Sequence, residues 1–220
     1  MQLLSVIRAR SIWIFDLLDV NPQGRHIESG LIDWMRKNYH FLKYPASIPD
    51  FNQSNEGLTF TQGAFAASSG LISVDLSIYR DGLVAETRSS TKDTDAFIED
   101  VLQLAVKDFG LVYRPEMIRR KHYISELNVS SQYPLNRLNS RLQALAGRIS
   151  SMLGNESSTL FEPASISFWT DPSLPFRQSH FIFERKADTS FSEHRYYSRA
   201  PLHTVDHLAL LEEFEDILIG

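Results

Sequence analysis

The sequence contains no cysteine. That absence excludes disulfides, thiolate metal sites, iron–sulfur clusters and a cysteine nucleophile together. It also removes the disulfide framework of many small secreted domains. A basic excess is missing too: 22 Lys and Arg stand against 27 Asp and Glu, for a formal net charge of −5. Proteins that live on phosphate contacts usually carry the opposite balance, which argues against nucleic acid as the main partner. No apolar run approaches the ~18 residues of a membrane span. The apolar start, Met1 to Phe15, is interrupted by Arg8 and Arg10 and lacks a small-residue cleavage site. A cytoplasmic protein with no membrane partner is the expectation. Glycine-rich phosphate loops, the His-Glu-x-x-His zinc motif and the Gly-x-Ser-x-Gly nucleophile elbow are all absent. No cofactor is expected. Asn128-Val129-Ser130 and Asn155-Glu156-Ser157 match the glycosylation pattern, which has no meaning in a cytoplasmic chain.

What is present suits a packed interior. Of the 220 residues, 43% are hydrophobic, and 14 Phe, 8 Tyr and 3 Trp supply bulk for one large domain or two small ones. Ser11–Val20 is apolar on both alternation phases and reads as a strand buried on both faces, starting at or before Ser11. Asn21-Pro22-Gln23-Gly24 is a turn signal. Ile27, Leu31, Trp34 and Met35 recur at helical spacing and predict a helix over 25–39, with Gly30 inside it. A long loop follows over 44–57. Strands are expected over 58–66, 71–79 and 83–90, the last two joined by the hairpin signal Arg80-Asp81-Gly82. Thr91–Asp95 then offers capping residues to a helix carrying Phe97, Val101, Leu104 and Ala105 and ending before Gly110.

The second half repeats the rhythm. A strand is expected over 122–129. One helix is expected from Pro134 through the stripe Leu135, Leu138, Leu142, Leu145, Ile149 and Met152, stopped by Gly154-Asn155. Strands near 159–169, 176–186 and 193–199 precede a last helix opened by Thr204, with Leu208, Leu211, Phe214 and Leu218 on one face. The fold class is therefore α+β, a tandem duplication of a β-α-β-β-β-α unit. A mostly antiparallel sheet would carry helices packed on one face. Residues 1–110 and 111–220 form the two repeats, sharing one core. One offset of 110 positions relates Asp16 to Glu126, Ile14 to Ile124, Leu17 to Leu127, Val101 to Leu211 and Gly110 to Gly220. Repeated β/α units of this general sort also build the TATA-binding saddle and the sliding clamps. No motif here matches either family, and fold alone assigns no function.

Several groupings could carry chemistry, and each also has a plain structural explanation. Asp16 and Glu126 are acids in equivalent apolar strands. Brought together they could divide acid and base roles, with the 44–57 loop as a lid; otherwise they face water or cap a turn. His194, His203 and His207, with Asp206 nearby, could ligate a metal, although a Thr204 cap would leave His203 outside the helix. Arg119, Arg120 and Lys121, with Arg114 before them, could meet phosphate or an acidic partner, or simply form a solvated connection between repeats. Arg88, Ser89, Ser90 and Thr91 could hold an anion at a helix start, or only cap it. Glu212, Glu213, Glu215 and Asp216 oppose the dipole of the last helix; they suit a wet face or a basic partner.

Phe161, Phe168, Trp169, Phe176, Phe181, Phe183, Tyr196 and Tyr197 crowd the second half, more than one sheet face needs. The leading expectation is a non-enzymatic interaction or assembly protein, acting as a homodimer or complex subunit. Self-association or another protein supplies the partner. The alternative is an enzyme or small-ligand binder using the open sheet face, with Asp16 and Glu126 as its carboxylates.

Overall fold

A computed structural model describes residues 1–24, 28–47, 57–153, 160–174 and 178–219. Among these residues the elements run β1 (Gln2–Ile14), α1 (Leu17–Val20), α2 (Glu28–Tyr39), β2 (Leu58–Ala67), β3 (Gly70–Tyr79), β4 (Gly82–Thr87) and α3 (Thr91–Phe109). They continue as β5 (Arg120–Ser130), α4 (Ser140–Met152), β6 (Ser165–Phe168), β7 (Phe181–Arg185), β8 (Arg195–Ala200) and α5 (Thr204–Ile219). The strands form one antiparallel sheet in the order β2-β3-β4-β1-β5-β8-β7-β6. No described helix is long and apolar enough to cross a membrane. Residues group into two compact units: Arg8–Ser125 with Leu202–Thr204, and Met1–Ile7 with Glu126–Pro201 and Val205–Gly220.

In the first unit the strand period sets the core. Ala9, Ser11 and Trp13 of β1, Val74, Leu76 and Ile78 of β3, and Leu83 and Ala85 of β4 are buried at alternate positions. Met35 and Tyr39 of α2 and Phe97, Ile98, Val101 and Leu102 of α3 complete that cluster. Ser90 caps α3 and Gly110 ends it in the left-handed region. Acids of α3 also anchor aromatic side chains. Asp95 Oδ1 accepts from the Trp13 indole at 2.8 Å, and Asp95 Oδ2 accepts from the Tyr123 hydroxyl at 3.1 Å. Asp100 accepts from Tyr39 at 2.8 Å and Glu99 from Tyr113 at 2.6 Å. Burial, then the neighbouring carboxylate, pushes the Tyr39 and Tyr113 hydroxyls well above the ordinary tyrosine range, so both stay donors.

The second unit has its own core. Leu127 and Val129 of β5, Leu135, Phe183 of β7, Tyr196 of β8, and Leu211, Phe214 and Leu218 of α5 are buried together. Phe183 and Tyr196 stack with centroids 4.6 Å apart. The Tyr196 hydroxyl accepts the Leu135 N–H at 3.0 Å.

Three expectations need correction. The apolar run at 11–20 is not one strand buried on both faces. β1 ends at Ile14 and buries alternate residues, and the chain then turns into α1. Asp16 causes the switch: its carboxylate accepts the Leu18 N–H at 2.9 Å, a capping bond that an extended strand could not form. The stripe from Leu135 to Met152 is not one helix. A 3-10 turn spans Leu135–Leu138, and α4 starts afresh at Ser140, because extended Asn139 accepts the Arg141 and Leu142 N–H groups. Arg120 and Lys121 belong to β5 rather than to a connection. The starts of the helix expected over 25–39 and of the strands expected near 159 and 176 lie outside the described residues, as do Phe176, Gly220, the Gly154-Asn155 stop and most of the 44–57 loop.

Thr91 and Thr204, the first residues of α3 and α5, hydrogen-bond reciprocally. The Thr91 N–H donates to Thr204 Oγ1 at 3.0 Å, and the Thr204 N–H donates to Thr91 Oγ1 at 2.9 Å. Both residues are buried. Valine at either position keeps the shape and leaves the other residue's N–H without its acceptor. Each single variant should therefore lose about 1–3 kcal/mol in urea unfolding.

Candidate functional site

The residues singled out for chemistry mostly serve the fold. Asp16 is half-buried and caps α1 in the first unit. Glu126 is buried in β5 of the second unit, with Arg199 Nε 3.9 Å from its carboxylate. The hydroxyls ahead of α3 close on a carboxylate of their own chain. Asp93 Oδ2 accepts from Ser90 at 2.9 Å, from Ser69 at 3.3 Å and from Ser89, and the Asp93 N–H returns to Ser90 Oγ at 3.1 Å. Buried Asp93 is thus the anion at this helix start. Arg88 is exposed beside it. Sequence reasoning passed over Asp93, although Ser90 followed three residues later by an acid is a capping signature.

The basic group is dispersed in its contacts. Arg114 is exposed. Arg119 pairs with Asp19 at 3.2 Å, with both side chains largely in water. Arg120 is exposed at the start of β5. The Lys121 ammonium lies 3.4 Å from the centroid of the Trp13 ring, a cation–π contact.

The three histidines have three different settings. His194 ends a 3-10 turn in the left-handed region. His203 lies 3.5 Å, centroid to centroid, from the Tyr123 ring and 3.4 Å from Thr91 Oγ1. His207 is buried, with Nε2 2.8 Å from Ser198 Oγ. Among the described residues no group of three or more His, Asp or Glu could hold a metal ion.

A cleft of about 320 Å³ in the second unit is lined by Met1, Gln2, Ser130, Ser131, Gln132 and Glu215. Burial acts to raise the Glu215 pKa. Hydrogen bonds from the Met1 amino group, the Ser131 hydroxyl and the Gln132 N–H outweigh it and hold the pKa below the usual glutamate value.

The surface feature that stands apart is apolar. Most of the expected core stripe of α4 faces outward: Leu145 is 55% exposed and Met152 78%, with Leu142 and Ile149 also exposed. Ala146 is the helix's buried residue. In the same unit β6, the edge strand of the sheet, leaves Phe168 63% exposed, and Trp169 directly after it is equally open. Leu160 and Phe161 are exposed as well. Soluble monomers rarely leave so many large apolar side chains of one region in water.

No protein-family model matches the chain, and no curated protein matches it. Among solved structures it is similar to Methanococcus jannaschii TBP. The identity is 15% over 99% of this chain and 97% of that one, with a TM-score of 0.38. A likeness at that level assigns no ligand and no activity to this chain.

The surplus of aromatic residues in the second half was the sequence signal for this surface. The contribution of α4 had no such signal. Periodicity marks an apolar stripe but not what lies against it.

Proposed function

We propose that this chain is a non-enzymatic assembly subunit, cytoplasmic, which binds another protein chain through the apolar surface of α4 and β6 and does so as a homodimer. The exposed stripe Leu142, Leu145, Ile149 and Met152 carries this reading. An amphipathic helix normally hides that face. Exposed Phe168, at the end of edge strand β6, and Trp169 directly after it add aromatic anchors of the kind that dominate interfaces. The same reading takes the two halves as copies of one ancestral unit. The recurring β-α-β-β-β-α order and the matched roles of Thr91 and Thr204 support it.

Light scattering coupled to gel filtration should give about twice the 25.2 kDa of one chain at micromolar concentration. Leu145→Glu should raise the dissociation constant by roughly 30-fold or more and leave thermal unfolding of the monomer nearly unchanged, because that side chain is exposed before association. A monomer at every concentration tested would remove the homodimer.

A further inference from the structure

We propose that the occupant of the α4 surface is α5 of a second copy of this chain, in a twofold pair where each α4 lies on the other copy's α5. This rests on the assembly reading above and names its partner. The observation is charge. α4 carries Arg141 and Arg148 and no acid. α5 carries Asp206, Glu212, Glu213, Glu215 and Asp216 and no Lys or Arg.

Arg141, Arg148, Glu212, Glu213 and Asp216 are all exposed, and among the described residues none of them makes an ion pair. The two surfaces also match in pattern. On α4, Arg141, Leu145, Arg148 and Met152 follow one face at three- and four-residue steps; on α5, Asp206, Leu210, Glu213 and Ile217 do the same. Each face sets two like charges seven residues apart, about 10.5 Å along the axis, with a leucine between them. Leu210 and Ile217 are exposed, so the acidic face is apolar enough to bury α4.

Both helices belong to the same compact unit, apart from the first residue of α5. One twofold operation therefore makes the contact twice, as a closed dimer requires. Opposite charges around an apolar centre favour this pairing and disfavour α4 on α4, where arginines would meet arginines.

A charge exchange tests the pairing. Variant one is Arg141→Glu with Arg148→Glu; variant two is Asp206→Lys with Glu213→Lys, so that each reverses both charges of its face. Both should fold, since Arg141, Arg148, Asp206 and Glu213 are all exposed and surface charge changes cost little. Each alone should place like charges across both contacts and raise the dissociation constant at least about tenfold. An equimolar mixture should return to about twice the chain mass in light scattering, because a mixed pair restores opposite charges at both contacts. Two variants that each dimerise like the wild type would overturn the α4–α5 pairing and leave assembly through another face. Monomeric variants that fail to recombine would also overturn it. A wild type that is monomeric throughout would overturn the homodimer itself.

Discussion

Gly82→Ala should cost this protein about 4 kcal/mol or more, among the largest losses expected of any single substitution outside the buried aromatics. Gly82 opens β4, pairs with Ile14 of β1 and has φ +152. A Cβ there would stand 2.0 Å from the Trp13 carbonyl oxygen and 3.2 Å from the Ile14 Cα. Backbone cannot swing aside as a side chain can, so relief requires β4 to draw away from β1. The turn before Gly82 is pinned to the same place. The Asp81 carbonyl accepts the Phe15 N–H and the Arg80 carbonyl accepts the Leu17 N–H, both at 3.0 Å. Moving β4 therefore breaks sheet pairing and these bonds together. The comparison is Gly70→Ala. Gly70 also has positive φ, +118, but open space where a Cβ would go. It should show the conformational strain alone, about 1–2 kcal/mol. Thermal unfolding should separate the two variants clearly, with Gly82→Ala losing roughly 10 °C or more for a chain of this size. Equal losses would mean that the contact with Trp13 relaxes freely.

The hairpin at Arg80-Asp81-Gly82 was legible for the same reason that Gly82 is vulnerable. An Asp-Gly step between alternating runs is local chemistry, and local chemistry survives folding unchanged. The end of α3 was legible likewise, through Gly110; capping residues were expected over Thr91–Asp95, and the cap is Ser90, directly before them. Features that depend on what a residue faces were not. Asp16 reads as an acid inside an apolar strand until its side chain is seen to cap α1. The stripe from Leu135 to Met152 fits one helix equally well whether it is core or surface. Asn139 splits it, so that Leu135 is buried while Leu145 and Met152 meet water. His207 gave one half of a zinc spacing, and it proves to be an interior residue whose partner, Ser198, comes from a strand.

Acid should weaken this protein by about 3 kcal/mol as pH falls from 6.5 to 4, with His207 as the cause. His207 and Ser198 are fully buried. The Ser198 hydroxyl donates its single proton to the Ile182 carbonyl at 3.0 Å. Its oxygen is therefore left to accept from His207 Nε2 at 2.8 Å, which makes the imidazole the neutral Nε2–H tautomer. Burial lowers its pKa from 6.5 to about 4. The unfolded chain takes up the proton near 6.5, whereas the folded chain resists it until about 4. Between those values the unfolded state binds more protons, so stability drops as pH drops. Below about 4 both states are protonated and this contribution levels off. Above 6.5 neither is, and His207 adds no pH dependence. Glu215, with its pKa held low, loses its own share of stability at lower pH as its carboxylate is protonated. Urea unfolding in small pH steps should show the slope in the wild type. His207→Gln keeps a donor for Ser198 and cannot titrate, so its slope between pH 6.5 and 4 should fall by most of that amount even if its stability at neutral pH is lower. An unchanged slope in His207→Gln would place the acid sensitivity elsewhere and mean that His207 accepts its proton without loss of the fold.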